Sequence, residues 1–470
     1  MPKWRSFFQL EHSIFKFTNL LDLPVGTMSE QLQGYRGETR RLLLEAEVSL
    51  GDIITVNTAN RQYEGMLMPR YELADDKHLV LKIKSGYNIG IKIGQETLIK
   101  KVGTGSKPAF MTQSSQPPKE GLPLIAVVST GGTIASRVDY VTGAVRPALS
   151  AEDLLSVVPE LSDIANIRTE ILYGLLSENV HAPHWTGLAK ATAEHIQNGV
   201  DGVVICHGTD TMAYTAAALS FALQNPPVPI IIVGSQRSSD RPSSDASFNL
   251  FSAVKAAATL PAAGIFLAMH ETASDDSLIL HLGTKARKCH TSRRDAFRSI
   301  NSPAVARIRG NSLEIILGGL PERDLSRKMD VRPEFDENVA LVKFFPGMKP
   351  EALRRYASEG YRGIILEGTG LGHVGTYLLD AVRETVKNGL LVAMTSQCLW
   401  GRVNMNVYDT GIYLQRAGVI PLEDMLPETA LVKMMWCFGQ TNSREEATRL
   451  LTTSLAYEIS ERRMVKGGHD

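Results

Sequence analysis

The sequence is poor in cysteine, has no excess charge of either sign and contains no long apolar run. Its 470 residues include only four cysteines, whose wide spacing forms neither a C-x-x-C pair nor a disulfide framework. The 50 basic residues balance the 50 acidic ones, so bulk charge indicates neither a nucleic-acid footprint nor an anionic membrane surface. No apolar stretch reaches the roughly 18 residues that a membrane span needs. We therefore expect a cytoplasmic protein whose thiols are reduced.

The first 47 residues form an N-terminal extension whose pattern says least about structure. Glu11, His12 and Lys16 interrupt the apolar core that a signal peptide requires, so no export signal is expected. Because residue 28 is a methionine, a second possibility stays open: translation begins at Met28, and residues 1–27 are an artefact. The segment GETRRLLLEAE, residues 37–47, predicts a short helix.

A change in pattern separates a small front domain from the rest of the chain. Residues 48–102 contain short β-branched segments, such as GDIITVNT and HLVLKIK, between Gly, Asn and Asp turns, which predicts a small all-β barrel. Residues 103–121 are rich in Gly, Ser and Pro and predict a linker. A chain of this length has room for about three units of ordinary domain size.

The remainder alternates apolar strands with helices, which predicts an α/β fold with a two-lobed, mostly parallel sheet core. LIAVVS, GVVICHG, PIIIVG and GIFLA are typical of parallel strands covered on both faces, and they assign residues 122–330 to a first lobe. VALVKFF, GIILEGTG and LLVAMTS indicate a second, smaller lobe at residues 331–440. Ser443 and Glu446 form a capping-box pattern that begins a C-terminal helix, assigned to residues 441–470.

Two polar motifs directly follow apolar strands of the first lobe, where α/β sheets bind their ligands. In STGGTIA, Gly131 and Gly132 permit a tight turn, are expected to present N–H groups to an oxyanion, and leave Thr133 at the strand tip. In CHGTDTM, Thr209 and Asp210 are expected at the same edge. Each motif alone fits an ordinary helix-capping turn equally well. Two of them in one lobe favour an active site there.

Two other patterns are set aside. Cys206 and His207 are neighbours in a strand and point to opposite faces, so they cannot form a Cys–His catalytic pair. GTGLG, residues 368–372, lacks the G-K-[ST] ending of a phosphate loop and is more typical of a turn.

Taken together, TGGTIA and HGTDT resemble the paired signatures of the bacterial-type L-asparaginase family, over roughly residues 122–440. The resemblance implies amide hydrolysis with Thr133 as nucleophile, assisted by Tyr140 in SRVDYVTGAV. It also implies a second polar triad of Thr209, Asp210 and Lys288. A threonine hydroxyl becomes nucleophilic when a neighbour takes its proton, and a lysine can do so once burial or nearby charge lowers its pKa.

The same resemblance implies a set of substrate-binding residues. Ser177 and Glu178 would hold the α-carboxylate and α-ammonium of the amino acid, with Asp210 sharing the ammonium. The backbone of Gly132 and the carbonyl of Ser235 would face the amide. Two simpler interpretations stay open: S-E-N as a polar loop, and Lys288 in KARK as a solvent-exposed lysine.

The front barrel and the segment VGSQRSSDRPSSDASFNL, residues 233–250, resemble the D subunits of archaeal-type glutamyl-tRNA(Gln) amidotransferases. Free asparaginases usually have G-A-M-R-P where this chain has G-S-Q-R at residues 234–237. The resemblance implies a glutaminase component of a ligase complex, which supplies ammonia for converting Glu-tRNA(Gln) to Gln-tRNA(Gln). It further implies a homodimer within a heterotetramer, whose partner, the E subunit of the amidotransferase, uses ATP and Mg²⁺ and holds most of the tRNA(Gln). No metal or cofactor is expected in this chain.

Two alternatives remain. A stand-alone L-asparaginase/glutaminase would use the same chemistry without a partner. A non-catalytic scaffold of the same fold is disfavoured, because the expected catalytic residues are all present in the sequence: Thr133, Tyr140, Thr209, Asp210 and Lys288.

Limited proteolysis tests the predicted linker. We expect the first cuts between residues 103 and 121, because exposed Gly/Ser/Pro segments are preferred cleavage sites. A fragment beginning near residue 122 should stay folded, as judged by mass spectrometry and circular dichroism of the digest. First cleavage within residues 130–300 would contradict this domain boundary.

Overall fold

A computed structural model describes the chain from residue 32 to residue 462. Within that span it leaves out residues 33, 60, 71–74, 84–87, 95, 105–118, 133, 135, 139–144, 148–157 and 238–243. No helix in the described part is long and apolar enough to cross a membrane. All four cysteines are free thiols, as their spacing predicts.

The front domain is a helix packed on a five-stranded antiparallel sheet of order β4-β3-β2-β1-β5. Its elements are α1 (Gly37–Glu45), β1 (Ile53–Asn57), β2 (Gln62–Leu67), β3 (His78–Lys82), β4 (Asn88–Lys92) and β5 (Leu98–Gly103). The predicted helix and the predicted all-β domain are therefore both present.

This domain's core includes residues that the sequence pattern assigned to an extension. Leu32, Tyr35 and Leu43 pack with Ile54 of β1 and Leu79 of β3 in one buried cluster. The Tyr35 hydroxyl donates to the carbonyl of Met68 at 2.7 Å and accepts from the Val80 N–H at 3.1 Å. A boundary at residue 48 therefore cuts through a single hydrophobic core, which begins at least as early as residue 32.

The first lobe is built on an eight-stranded sheet of order β18-β17-β14-β13-β12-β10-β6-β9. Five neighbouring strands of this sheet, β9, β6, β10, β12 and β13, are parallel. Strands β14, β17 and β18 continue the sheet in antiparallel orientation. The elements in chain order are β6 (Leu124–Gly131), β7 (Ser136–Val138), β8 (Val145–Pro147), β9 (Asn166–Leu175), α2 (Ala182–Gln197), β10 (Gly202–Cys206), α3 (Met212–Ala222), β11 (Leu223–Gln224), β12 (Pro229–Val233), α4 (Ala246–Thr259), β13 (Gly264–His270), β14 (Leu278–Leu282), β15 (Ala286–Lys288), β16 (Phe297–Ser299), β17 (Ala306–Arg309), β18 (Ser312–Ile315) and β19 (Asp330–Val331).

Continuous apolar strands arise here because both faces of the sheet are covered. Val204 and Ile231 pack in one cluster with α4, whereas their neighbours Val203 and Ile230 pack in another with α2 and α3. Since side chains alternate across a strand, a strand buried on both faces needs an apolar residue at every position.

The second lobe has a parallel sheet of order β20-β21-β22-β23. Its elements are β20 (Val339–Lys343), α5 (Glu351–Ser358), β21 (Gly363–Gly368), α6 (Leu379–Lys387), β22 (Leu391–Ser396), α7 (Asp409–Arg416), β23 (Ile420–Pro421), α8 (Pro427–Gln440) and α9 (Arg444–Thr452). Helix α8 joins the lobes, because Trp436 packs with Ile365 of the second sheet and with Phe221 of α3. The two-lobed α/β prediction is confirmed.

The C-terminal helix is shorter than predicted. Ser443 caps α9 by accepting from the Glu446 N–H, as the sequence pattern indicates, but the helix ends at Thr452. Beyond it, the fully buried Lys433 ammonium pairs with Glu458 at 2.5 Å and donates to the Leu451 and Thr453 carbonyls. The predicted helical continuation is therefore wrong over the described residues, because the chain turns inward to satisfy a buried cation.

Breaking this buried pair should destabilise the fold. Glu458→Gln leaves the Lys433 ammonium buried without its counter-charge, and we expect a loss of about 3–5 kcal/mol. Denaturant titration followed by circular dichroism measures it. Glu446→Gln is the matched control, since its pair with Arg449 is solvent-exposed and should leave the midpoint unchanged. Equal midpoints for the two variants would contradict the expectation.

Candidate active site

Two strand tips meet at the carboxyl edge of the first sheet. Strands β6 and β10 are parallel neighbours with Ser129 opposite Cys206, so the residues that follow them lie side by side. The Thr130 hydroxyl donates to the Cys206 carbonyl at 3.0 Å. A Cβ on Gly132 would lie 2.3 Å from the Gly208 nitrogen, and Gly132 has φ +79°, so only glycine fits there.

The glycine N–H groups of the first motif do not have the role that the motif predicted. The Gly132 N–H donates to the Leu175 carbonyl at 3.2 Å, and the Gly131 N–H donates to the Ser129 hydroxyl at 3.4 Å. Both donors are used inside the fold: pairing with β9 takes the Gly132 N–H, and a local turn to Ser129 takes the Gly131 N–H. The expectation that they face an oxyanion is therefore wrong. Thr133, the next residue, and Tyr140 lie outside the described residues.

A polar trio lies at the second strand tip. The Lys288 Nζ atom is 2.8 Å from the Thr209 hydroxyl and 2.8 Å from an Asp210 carboxylate oxygen. Lys288 reaches them from β15, across the sheet edge. Its side chain is only 13% exposed, so the interpretation as an ordinary surface lysine does not hold, whereas that of Asp210 is 69% exposed. The structure thus brings together three residues that are up to 79 positions apart in sequence.

Ser177 and Glu178 begin a short 3-10 turn, Ser177–Asn179, beside the same edge. Ser177 is buried, and a Cβ built on Gly208 would lie 2.7 Å from the Ser177 Cβ. The Thr211 hydroxyl donates to the Ser177 carbonyl at 2.5 Å. Glu178 is exposed, and no described contact distinguishes a binding role for it from a polar loop.

Ser235 lies on the loop that follows β12, and this loop borders the trio. A Cβ on Gly234 would lie 2.8 Å from the Thr209 methyl group, so the loop and Thr209 are in close contact. Ser235 is buried, and its hydroxyl donates to the Arg237 carbonyl at 3.0 Å. The family resemblance implies that Ser235 faces the substrate with its main-chain carbonyl and not with its side chain.

The turn that carries Thr209 is fixed by the buried His207, whose hydrogen-bonding role the sequence pattern did not indicate. His207 Nδ1 lies 2.7 Å from the Gly208 carbonyl, and its Nε2 lies 2.9 Å from the Thr215 hydroxyl, which accepts from Trp185 Nε1 at 3.1 Å. A carbonyl can only accept, so Nδ1 carries the proton and Nε2 accepts from Thr215. Burial lowers the pKa of His207 to about 4, so the ring is neutral as this pattern requires.

The neighbouring Cys206 does not act as a nucleophile. Burial raises the pKa of its thiol to about 12, so the reactive thiolate is not formed near neutral pH. This agrees with the rejection of a Cys–His pair from strand geometry. Among the described residues, no group of three or more His, Cys, Asp or Glu side chains is arranged to hold a metal ion.

Comparison with known proteins covers almost the whole chain. The model of the N-terminal asparaginase domain matches residues 124–318, that of the glutaminase/asparaginase C-terminal domain matches 338–451, and that of the GatD N-terminal domain matches 48–102. The glutamyl-tRNA(Gln) amidotransferase D subunit of Methanothermobacter thermautotrophicus is 47% identical over 91% of this chain and 98% of its own length. The chain belongs to the family of glutamyl-tRNA(Gln) amidotransferase D subunits. The D subunit of Metallosphaera sedula is 46% identical over 92% of this chain and 97% of its length.

Solved structures match the two lobes. The L-asparaginase of Thermococcus kodakarensis is 36% identical, with a TM-score of 0.64 over 72% of this chain and 100% of its own. L-asparaginase I of Vibrio cholerae is 30% identical, with a TM-score of 0.63 over 72% of this chain and 99% of its own. In this member of the D-subunit family the asparaginase-like fold therefore makes up about three quarters of the length.

Thr215→Val tests the histidine that fixes the Thr209 turn. It leaves His207 Nε2 and Trp185 Nε1 buried without a partner, and we expect a loss of stability of about 1–3 kcal/mol. Denaturant unfolding measures the effect. Thr215→Ser keeps the hydroxyl and should retain most of the stability; a Val variant as stable as the Ser variant would show that the hydroxyl does not bridge the two rings.

Proposed function

We propose that the chain hydrolyses the side-chain amide of glutamine, or of asparagine, and supplies the ammonia for the tRNA-dependent conversion of Glu-tRNA(Gln) to Gln-tRNA(Gln). The observation that carries this proposal is the Lys288–Thr209–Asp210 trio at the strand edge of a chain that belongs to the D-subunit family. A hydroxyl, an amine and a carboxylate in contact are the groups that proton transfer during amide hydrolysis needs.

The proposed chemistry has two steps. The Thr133 hydroxyl, assisted by Tyr140, attacks the amide carbon and gives up its proton, and the leaving nitrogen gains a proton and departs as ammonia. Water then cleaves the resulting threonine ester to release glutamate or aspartate. The 2.8 Å contact between Thr209 and Lys288 offers a path for one of these protons, with Asp210 alongside to balance its charge.

Substrate binding in this proposal uses groups around the trio. Asp210 and Glu178 are exposed carboxylates that would hold the α-ammonium, and Ser177 would take part in holding the α-carboxylate. The Ser235 carbonyl would accept from the amide nitrogen, and the close approach of the preceding residue, Gly234, to the Thr209 methyl group supports this. Gly132 contributes by having no side chain, because this lets the turns that follow β6 and β10 lie in contact.

The proposal also includes a partner. Relatives that are 46–47% identical carry the name of the D subunit of an amidotransferase, so we place this chain in a complex with an E subunit that binds ATP and Mg²⁺. The domain at residues 48–102 supports this, since the matched asparaginases cover only 72% of the chain. Balanced charge, 50 basic against 50 acidic residues, fits a tRNA held mainly by the partner. A homodimer within a heterotetramer in the cytoplasm completes the proposal.

A stand-alone asparaginase is the second candidate, favoured by the complete coverage of the Thermococcus enzyme by the two lobes. A scaffold without activity is disfavoured, because Lys288 is in contact with both Thr209 and Asp210, and an inactive site does not need that arrangement.

Ammonia release under three conditions distinguishes these candidates. We expect slow glutamine hydrolysis by the chain alone, more with the E subunit, and a rise of about 100-fold with both the E subunit and Glu-tRNA(Gln), which needs only about 2.7 kcal/mol of differential binding. Coupled ammonia assays with glutamine and asparagine provide the measurement. Equal rates under all three conditions would favour the stand-alone enzyme, and no release under any would favour the scaffold.

Variants assign that activity to the proposed site. Thr133→Ala and Lys288→Met should each abolish ammonia release without unfolding the protein, because they remove reacting groups and not core packing. Lys190→Met is the control, since Lys190 is exposed and its nearest acidic oxygen, on Glu334, is 3.9 Å away. More than a few per cent of activity in Thr133→Ala would refute the nucleophile assignment.

A further inference from the structure

A chain of hydrogen bonds leads from the loop at residues 234–237 to the hairpin that carries Lys288. It runs through Asp245, Asn249, His270, Asp275 and Arg294, and the first three of these side chains are fully buried. Arg294 belongs to the turn at residues 289–296 between β15 and β16, and β15 ends at Lys288. Both ends of the chain therefore adjoin the candidate active site, although none of its five members is among the site residues that the sequence indicated.

At the loop end, Asp245 and Asn249 of α4 hold the backbone. The Asp245 carboxylate accepts from the Gln236 N–H at 2.9 Å and from the Arg237 N–H at 3.0 Å. Asn249 Nδ2 donates to the Gly234 carbonyl at 2.9 Å and to Asp245 at 3.1 Å. The backbone groups on both sides of Ser235 are thus fixed by buried side chains.

These contacts determine how His270 is protonated. Both partners of the Asn249 nitrogen are acceptors, so the amide orientation is settled and Asn249 Oδ1 is an acceptor. His270 Nδ1 lies 2.6 Å from that oxygen and must donate to it. His270 Nε2 lies 2.8 Å from an Asp275 carboxylate oxygen, which also accepts from Arg294 Nη1 at 2.7 Å. An oxygen that already accepts from a guanidinium is an ionised acceptor, so Nε2 must donate as well.

The surroundings balance the resulting charge. The charged groups that face His270 through this chain are the Asp275 carboxylate and, beyond Asn249, the Asp245 carboxylate, with Arg294 on the far side of Asp275. The Phe248 ring, centred 4.8 Å away, packs against the imidazole. One imidazolium and one guanidinium thus stand beside two carboxylates, which is the pairing that buried charge requires.

We propose that His270 is a doubly protonated positioning residue, which ties the Ser235 loop to the Lys288 hairpin and keeps the amide-binding carbonyl and the lysine at a fixed separation. A neutral imidazole has only one N–H and can hold only one side of this connection. The consequence for turnover rests on the proposed function, whereas the protonation state and the connection themselves do not.

Nitrogen NMR of the ¹⁵N-histidine-labelled full-length chain tests the protonation directly. We expect both His270 ring nitrogens to show protonated shifts at neutral pH, with the signal assigned by its loss in His270→Phe. His281 is the internal reference, because its burial lowers its pKa to about 3 and its ring should show one protonated and one bare nitrogen. In Asp275→Asn, where the carboxylate is gone, His270 should change to the His281 pattern. One bare nitrogen on His270 in the wild type would overturn the proposal.

Kinetics of the complex with the E subunit test the connection. In Asp275→Asn and His270→Phe, kcat for glutamine should fall by at least about tenfold through misplacement of the amide-binding loop. KM should stay within about twofold, because the α-groups of the substrate bind elsewhere. His195→Phe is the control: it removes another His–carboxylate contact, 2.7 Å to Glu170 at the far end of α2, and should change neither constant.

The two proposals fail in different ways. Unchanged kcat in both variants, with an active wild type, would overturn the positioning role and leave the proposed function intact. An inactive wild-type complex would overturn the proposed function, and the NMR result would still decide whether His270 is an imidazolium.

Discussion

The parallel pairing of β6 with β10 is the constraint on which the candidate site depends. It sets Ser129 beside Cys206, so that two motifs nearly eighty residues apart emerge at one sheet edge. The pairing leaves no space between the two turns: a side chain on Gly132 would overlap the backbone at Gly208. The glycines are therefore required by close approach of two backbones, and their N–H groups are used to hold the turn together.

Lys288 depends on the second lobe although it belongs to the first. Its neighbour Arg287 pairs with Glu428 at the start of α8 at 3.1 Å. Lys285, just before β15, pairs with Asp424 at 2.8 Å, and both of these side chains are buried. Burial raises the pKa of Glu428, and the adjacent Arg287 opposes that shift. The short strand that presents the lysine is thus fixed by ion pairs to the other lobe, which explains why both lobes are needed to build one site.

The front domain follows a different principle. Its core is completed by α1 and by residues from Leu32 onward, so it forms a unit with its own hydrophobic interior. The first lobe in turn begins before β6, since Asn166 Nδ2 donates to the Lys119 carbonyl at 2.9 Å and its Oδ1 accepts from the Lys119 N–H at 2.8 Å. Residues 105–118 therefore lie in the sequence between two units that each have a hydrophobic core of their own.

The sequence by itself determined the order of the domains, the α/β class, and the two motifs, because strands buried on both faces and glycine turns leave local patterns. It also indicated the cap at Ser443, which depends only on residues within one turn. It could not determine the direction of the Gly131 and Gly132 N–H groups, since one donates to the Ser129 hydroxyl and the other to the Leu175 carbonyl of β9. It could not find the buried ion pair that follows α9, or the His207 and His270 connections. Those depend on which polar groups meet after folding, and a buried polar group is defined by its partners, which only the tertiary structure supplies.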